Sequence, residues 1–243
     1  MKIEKSQSQT RHKKANFSKV LKGLSLVFVL MIALTVFAAC NKEKDKYWDN
    51  ISELRTDVFK HSDDNFAITA MSGYRETHFS LDGIAHKKVE FTVVTVVPAS
   101  ALSADTGVEY AIKIGEDGFS GSMLKHPFNE SFSIEVPRAT NGASITISVT
   151  AGENTTSTEL VTQFTSEMID YQRAFEIAQK RLKDKFDALT VDKKLKAEIF
   201  IRFIENPLNT SGGYFWYVAL VDSAHNTYAV LIDPINENIL AER

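Results

Sequence analysis

The hydrophobic period of the chain changes within TSEMIDYQRAFEIAQKRLKDKF, residues 165–186. Tyr171, Ala174, Phe175, Ala178, Leu182 and Phe186 recur at three- and four-residue steps, which predicts a helix with one apolar stripe. Thr165 or Ser166 is placed to cap it, and Glu167 and Asp170 then fall in the first turn, at the positive end of the helix dipole. Lys180, Arg181, Lys183 and Lys185 crowd the other end, where cations are favoured.

Upstream of this stretch the period is two. Val89, Phe91 and Val93 alternate with Glu90 and Thr92, and Val108, Tyr110, Ile112 and Ile114 with Glu109, Ala111 and Lys113. Phe132, Ile134 and Val136 repeat the pattern, as do Ile145, Ile147 and Val149. Each run turns one face inward and one outward, as antiparallel strands do. With weaker runs at 66–71, 76–81 and 159–164 there are about seven strands at sandwich-like spacing. The expectation for residues 51–165 is an immunoglobulin-like antiparallel β-sandwich, without the Cys-Trp-Cys pattern of antibody domains. Ile51–Phe59 reads as a short helix.

Downstream, Ala197, Ile199, Ile201 and Phe203 share one face of a strand that Asn206-Pro207 ends. Strands at 214–221, 227–232 and 239–241 follow. Helix and meander predict a compact α+β unit over 166–243, so the fold class expected for the whole chain is α+β. This second unit resembles the PepSY family. The likeness rests on Ala174 and Ala178 inside the helix, on Trp216-Tyr217-Val218, and on the run from Val230 to Leu240 through Asp233. The glycine expected in the last turn is replaced around Glu237-Asn238, where Asn tolerates a positive φ. The resemblance implies a non-catalytic binding or regulatory module, with secreted peptidases as its class of partner.

The address is written at the other end. A basic segment with Lys2, Lys5, Arg11, Lys13, Lys14, Lys19 and Lys22 leads into LSLVFVLMIALTVFAA (24–39), and Cys40 follows. That is the layout of a secretory signal, and Phe37-Ala38-Ala39-Cys40 resembles the lipobox of bacterial lipoproteins. The resemblance implies cleavage after residue 39, diacylation (a palmitate-type anchor) of Cys40, and residence on the extracytoplasmic face of a cell membrane. Two acyl chains hold a protein stably where one does not. The apolar run is shorter than the ~20 residues of a spanning helix. Residues 40–50 read as a lipidated tether.

Of 28 Lys and Arg residues, seven lie in the first 39; of 31 Asp and Glu, one does. The remaining 204 residues therefore carry 21 basic and 30 acidic side chains, a net charge of −9. Such a surface repels phosphate, so nucleic acid is not an expected partner. With Cys40 committed to lipid, thiol catalysis and internal disulfides are excluded. Gly118-Phe119-Ser120-Gly121-Ser122 lacks the last glycine of a nucleophile elbow and reads as a hairpin loop. Glu76 with His78, or His61 with Asp63 and Asp64, would need a third ligand to hold a metal. Asp117 reads as a turn residue rather than a calcium ligand, because the EF-hand series is missing. The expectation is a protein that is not an enzyme and carries no cofactor or metal.

The feature that exceeds this background is Tyr214–Val221, apolar on both faces. Trp216, Val218 and Leu220 are expected against the helix. Phe215, Tyr217 and Val221, joined by Phe200, are then the candidate interaction surface, covered by the sandwich or by an envelope protein such as a peptidase. The alternative is a solute- or glycan-binding lipoprotein, with a concave site lined by polar and aromatic residues between Phe66 and Phe164.

Overall fold

The computed structural model describes residues 47–77, 82–103, 106–206 and 213–243. Cys40, the leader, the tether up to residue 46, His78 and Pro207 lie outside the described residues.

The chain is mostly β, and the expected α+β class is corrected accordingly. Its first strand, β1 (Ile51–Ser62), replaces the helix expected at 51–59. β1 is interior to the sheet. Its first four residues are all buried, which erases the alternation that would have marked it. Tertiary pairing here overrides local preference. β1 pairs antiparallel with β2 (Phe66–Glu76), which pairs with β3 (Lys88–Pro98), then β7 (Phe132–Val136) and the short β6 (Leu124–Lys125). A second run of strands joins β5 (Asp117–Ser122), β4 (Glu109–Ile114), β8 (Ile145–Ala151) and β9 (Asn154–Thr162), and β9 closes onto β1 at Phe59↔Thr162 and Lys60↔Val161. The loop expected at 118–122 is thus a strand, hydrogen-bonded along β4.

These strands wrap around one core rather than forming two separate sheets. Phe66, Ile68, Val94, Val96 and Phe132 face Val108, Ile112, Ile145, Ile147 and Leu160 across it. On β4, β7 and β8 the alternating apolar residues read from the sequence fill or pack against it, whereas on β3 the core takes Val94 and Val96, with Val89 and Val93 half-buried and Phe91 buried outside this cluster. The turn at Asn141-Gly142 takes positive φ at both residues (49° and 82°), as its sequence predicts.

The C-terminal strands do not form an independent helix-packed module. β12 (Ala197–Glu205) pairs parallel with β1, in register Ile51↔Ile199, Leu54↔Ile201 and Arg55↔Arg202. It thereby extends the same 13-stranded sheet, which continues through β13 (Tyr214–Asp222), β14 (Thr227–Ile232) and β15 (Ile239–Glu242). The physical reason lies in the edge: β12 needs a partner on its free side, and β1 satisfies its backbone groups. The PepSY-like fold that the resemblance implied, a helix packed on its own meander, is therefore absent.

Two short helices, α1 (Tyr171–Arg181) and α2 (Lys183–Ala188), replace the single long one, and α1 contacts β12, β13 and β14. Ala174 and Ala178 are fully buried and let α1 approach closely. The cap is Asp170, whose carboxylate accepts from the Arg173 backbone N–H at 2.8 Å, not Thr165 or Ser166. The residue before it is held elsewhere. Ile169 N–H donates to Pro234 O at 2.7 Å, and Ile169 O accepts from Trp216 Nε1 at 2.9 Å. Those cross-chain bonds use the backbone groups that an earlier helix start would require. A short two-stranded pair, β10 (Thr190–Val191) and β11 (Lys194–Leu195), leads into β12.

Candidate functional site: a hydroxyl groove and a charged cleft

Two concavities stand out, and each follows from how its strands are registered. The first lies on the outer face of β4, β5, β8 and β9. Pairing aligns Ser120, Ala111, Ser148 and Ser157 in one row across four strands. The row beside it contains Gly118, Lys113 and Thr146. Inward positions on these strands are filled by the core, and the outward ones are mostly small or hydroxylated, with Glu109, Lys113 and Glu159 among them. Ala111 and Gly118 leave a hollow of about 610 Å³ between them, with Phe119 at its wall. Ser157 Oγ donates to Ser148 Oγ at 2.8 Å, and Thr150 and Thr155 pair at 3.1 Å in the next row. A hydroxyl can both donate and accept, so the hollow offers both capacities, with Lys113 in its lining and Glu159 and Glu109 at the ends of the flanking rows.

The second is a cleft of about 310 Å³ where β1 meets β2, lined by Ser52, Glu53, Arg55, Arg75, Glu76 and Thr77. Ser52, Glu53 and Glu76 are buried, and so is Glu198 of β12. Glu53 is compensated: it accepts from Arg202 Nε at 2.9 Å and pairs with Arg55. Glu198 accepts from the Gly83 backbone N–H at 2.8 Å and from Ser52 Oγ at 3.0 Å. Burial nevertheless holds its carboxyl above the usual carboxylate range, those hydrogen bonds opposing the shift. Glu76 differs from both. Neither of its carboxylate oxygens has a hydrogen-bond partner.

The residues proposed as an interaction surface adjoin this cleft. Phe200, Phe215, Tyr217 and Val221 lie on the face of β12–β13 turned away from α1, and Trp216 lies on the other. Phe200 and Val221 are buried in one cluster with Ala219 and Ala229, against which Tyr217 packs half-buried; Phe215 is buried as well. The Arg202 guanidinium lies over the Phe200 ring, 4.9 Å from its centroid, and 5.9 Å from that of Tyr217. His61 turns to Asp63 at 3.4 Å. Among the described residues no three His, Cys, Asp or Glu side chains are grouped to hold a metal ion.

Glu53, Glu198 and Arg202 were not singled out by sequence. A signal for two of them existed: Glu198, Phe200 and Arg202 alternate on the strand face opposite Ile199 and Ile201. Glu53 had none, because its strand read as a helix. Compared with known proteins, the chain matches no family, no curated protein and no solved structure.

Proposed function

We propose that this is a lipid-anchored, extracytoplasmic, non-catalytic binding protein of the cell envelope, which takes a neutral hydroxyl-rich solute such as a glycan in the β4–β5–β8–β9 groove. The observation that carries the ligand reading is the Ser120–Ala111–Ser148–Ser157 row, which brings hydroxyls into a hollow whose wall also includes Phe119, Ile112, Ile147 and Lys113. A polyol presents alternating donors and acceptors, and such a wall answers both without requiring charge. The groove's size falls within the range of small-ligand sites. Support for the anchor is the signal-like run ending at Cys40.

The ligand reading is tested by titrating the soluble protein, residues 41–243, with neutral oligosaccharides while following the amides of residues 111, 120, 148 and 157 by NMR. Binding that Ala111→Phe abolishes supports it, because the ring fills an outward hollow and leaves the core untouched. Binding that survives this substitution, or none across a neutral glycan panel, overturns it. The anchor is tested by mass spectrometry of native material: an unmodified Cys40 thiol rejects that part.

A further inference from the structure

The groove above makes no use of Glu76. This side chain lies in a different place, is about 97% buried, and has two carboxylate oxygens without a hydrogen-bond partner. A buried carboxylate left unpaired costs several kcal/mol, far more than a surface one. Its neighbours do not supply the missing donor. Arg55 is engaged with Glu53 and with the Met71 sulfur, and Arg75 with Glu135. Lys88 is the partner of Glu76 across the β2–β3 ladder and feels its charge, yet forms no hydrogen bond to it.

The hydroxyls of the cleft point the same way. Thr77 Oγ1 donates to Lys87 O at 2.7 Å, and Ser52 Oγ donates to Glu198 Oε2 at 3.0 Å. Both hydroxyl protons are committed, so toward a ligand these oxygens can only accept. A buried carboxylate without a hydrogen-bond donor, beside two acceptors, calls for a cation that donates and does not accept. A primary ammonium has three N–H donors and no acceptor. A metal ion fits less well, since no grouping of three acidic, His or Cys side chains is present among the described residues. A volume of about 310 Å³ suits a short alkyl-ammonium head.

We propose that the β1–β2 cleft is a binding site for a primary ammonium group, held by the Glu76 carboxylate with Ser52 and Thr77 as accepting neighbours. The group can come from a peptide lysine or from a free alkylamine, and the two share this chemistry.

The test follows the backbone amides of Ser52, Glu76 and Thr77 in the full chain during NMR titration with n-butylammonium, standing for a free amine, and with Nα-acetyl-lysinamide, standing for a peptide lysine. Saturable shifts with either compound support the site, and a tenfold preference between them assigns the source. 1-Butanol and butyltrimethylammonium, the first uncharged and the second without N–H donors, are expected to leave these amides unmoved. Glu76→Gln is expected to weaken binding roughly ten- to a hundredfold, the worth of a hydrogen bond to a charged group. Absence of shifts with both amines overturns the proposal. So does an equal response to butyltrimethylammonium, which needs no variant protein to read, or unchanged affinity in a folded Glu76→Gln.

Discussion

Gly73→Ala is expected to be among the most damaging single-methyl additions to this chain. Gly73 sits on β2 opposite Arg55, where the β1 ladder slips: Arg55 faces Gly73 and Asp57 faces Ser72, leaving Thr56 as an extra residue. Such a bulge bends its strand, and here it drives the Leu54 carbonyl toward Gly73. A Cβ at residue 73 would lie 1.9 Å from Leu54 O and 2.9 Å from Leu54 C. Both are backbone atoms of an interior strand, so no side chain can swing aside. Relief needs a displacement of about 1.5 Å, the difference between 1.9 Å and the 3.4 Å at which ordinary contact begins. A shift of that size carries the neighbouring ladder hydrogen bonds beyond useful length. Overpacking costs about 1–3 kcal/mol and each lost hydrogen bond about 1 kcal/mol, so the sum is about 3 kcal/mol or more. For a unit of this size that corresponds to a fall in Tm of roughly 6–12 °C. Urea denaturation of the variant beside Gly107→Ala, whose added Cβ meets nothing within 4 Å, isolates the steric effect. A Gly73→Ala midpoint within about 0.5 kcal/mol of the Gly107→Ala one would refute the reasoning, 0.5 kcal/mol being the scatter of ordinary surface substitutions.

Four further outcomes are expected. Glu198 titrates above an ordinary carboxyl because it is buried, so its stabilising contribution is complete below about pH 4.5 and is lost as pH rises. Wild type should therefore lose ground to Glu198→Gln between pH 4 and 8, and parallel stability curves would reject this. Asp63 behaves oppositely: the Thr156 hydroxyl at 2.7 Å, then the Phe66 N–H, lower its pKa to about 2. Asp63→Asn should cost stability at neutral pH, with the gap closing as pH falls from 3.8 toward 2; a gap constant with pH counts against it. Trp216→Phe removes the bond to Ile169 O from a fully buried side chain, and calorimetry should show a loss of about 1–3 kcal/mol. Ala174→Leu should cost a similar amount by pushing α1 off β13, read as a lower denaturant midpoint.

Much of the strand inventory was legible because half-buried strands advertise themselves. Val108–Ile114 and Ile145–Thr150 alternate cleanly, and both became strands with their apolar residues in the core. β5 hid behind Asp-Gly-Phe-Ser-Gly-Ser, whose glycines mimic a loop, and β1 hid behind the burial of Ser52 and Glu53. The α1 stripe was readable while its start was not, since a backbone bond from Ile169 to Pro234 has no local signature. The largest miss was architectural. Nothing in either strand announces that β1 and β12 pair in parallel, and without that joint the C-terminal third reads as a separate module. Within the site, the placement of Phe200, Phe215, Tyr217 and Val221 on the face away from α1 followed from period two. The carboxylates beside them were missed because an acidic residue on a strand ordinarily signals solvent.

The joint between β1 and β12 also dictates when this protein can finish folding. Ile51 meets Ile199, 148 positions later, so half of an interior strand stays unmatched until the last quarter of the chain has been synthesised. The thermodynamic penalty for so distant a closure is mild, about 0.6 kcal/mol for each doubling of length, but distant pairing is slow. Throughout that wait the Ile51–Arg55 edge displays open N–H and C=O groups, a template on which a neighbouring nascent chain can add. Chains truncated before residue 197 keep that edge permanently, since among the described residues only β12 covers the Ile51–Arg55 side of β1.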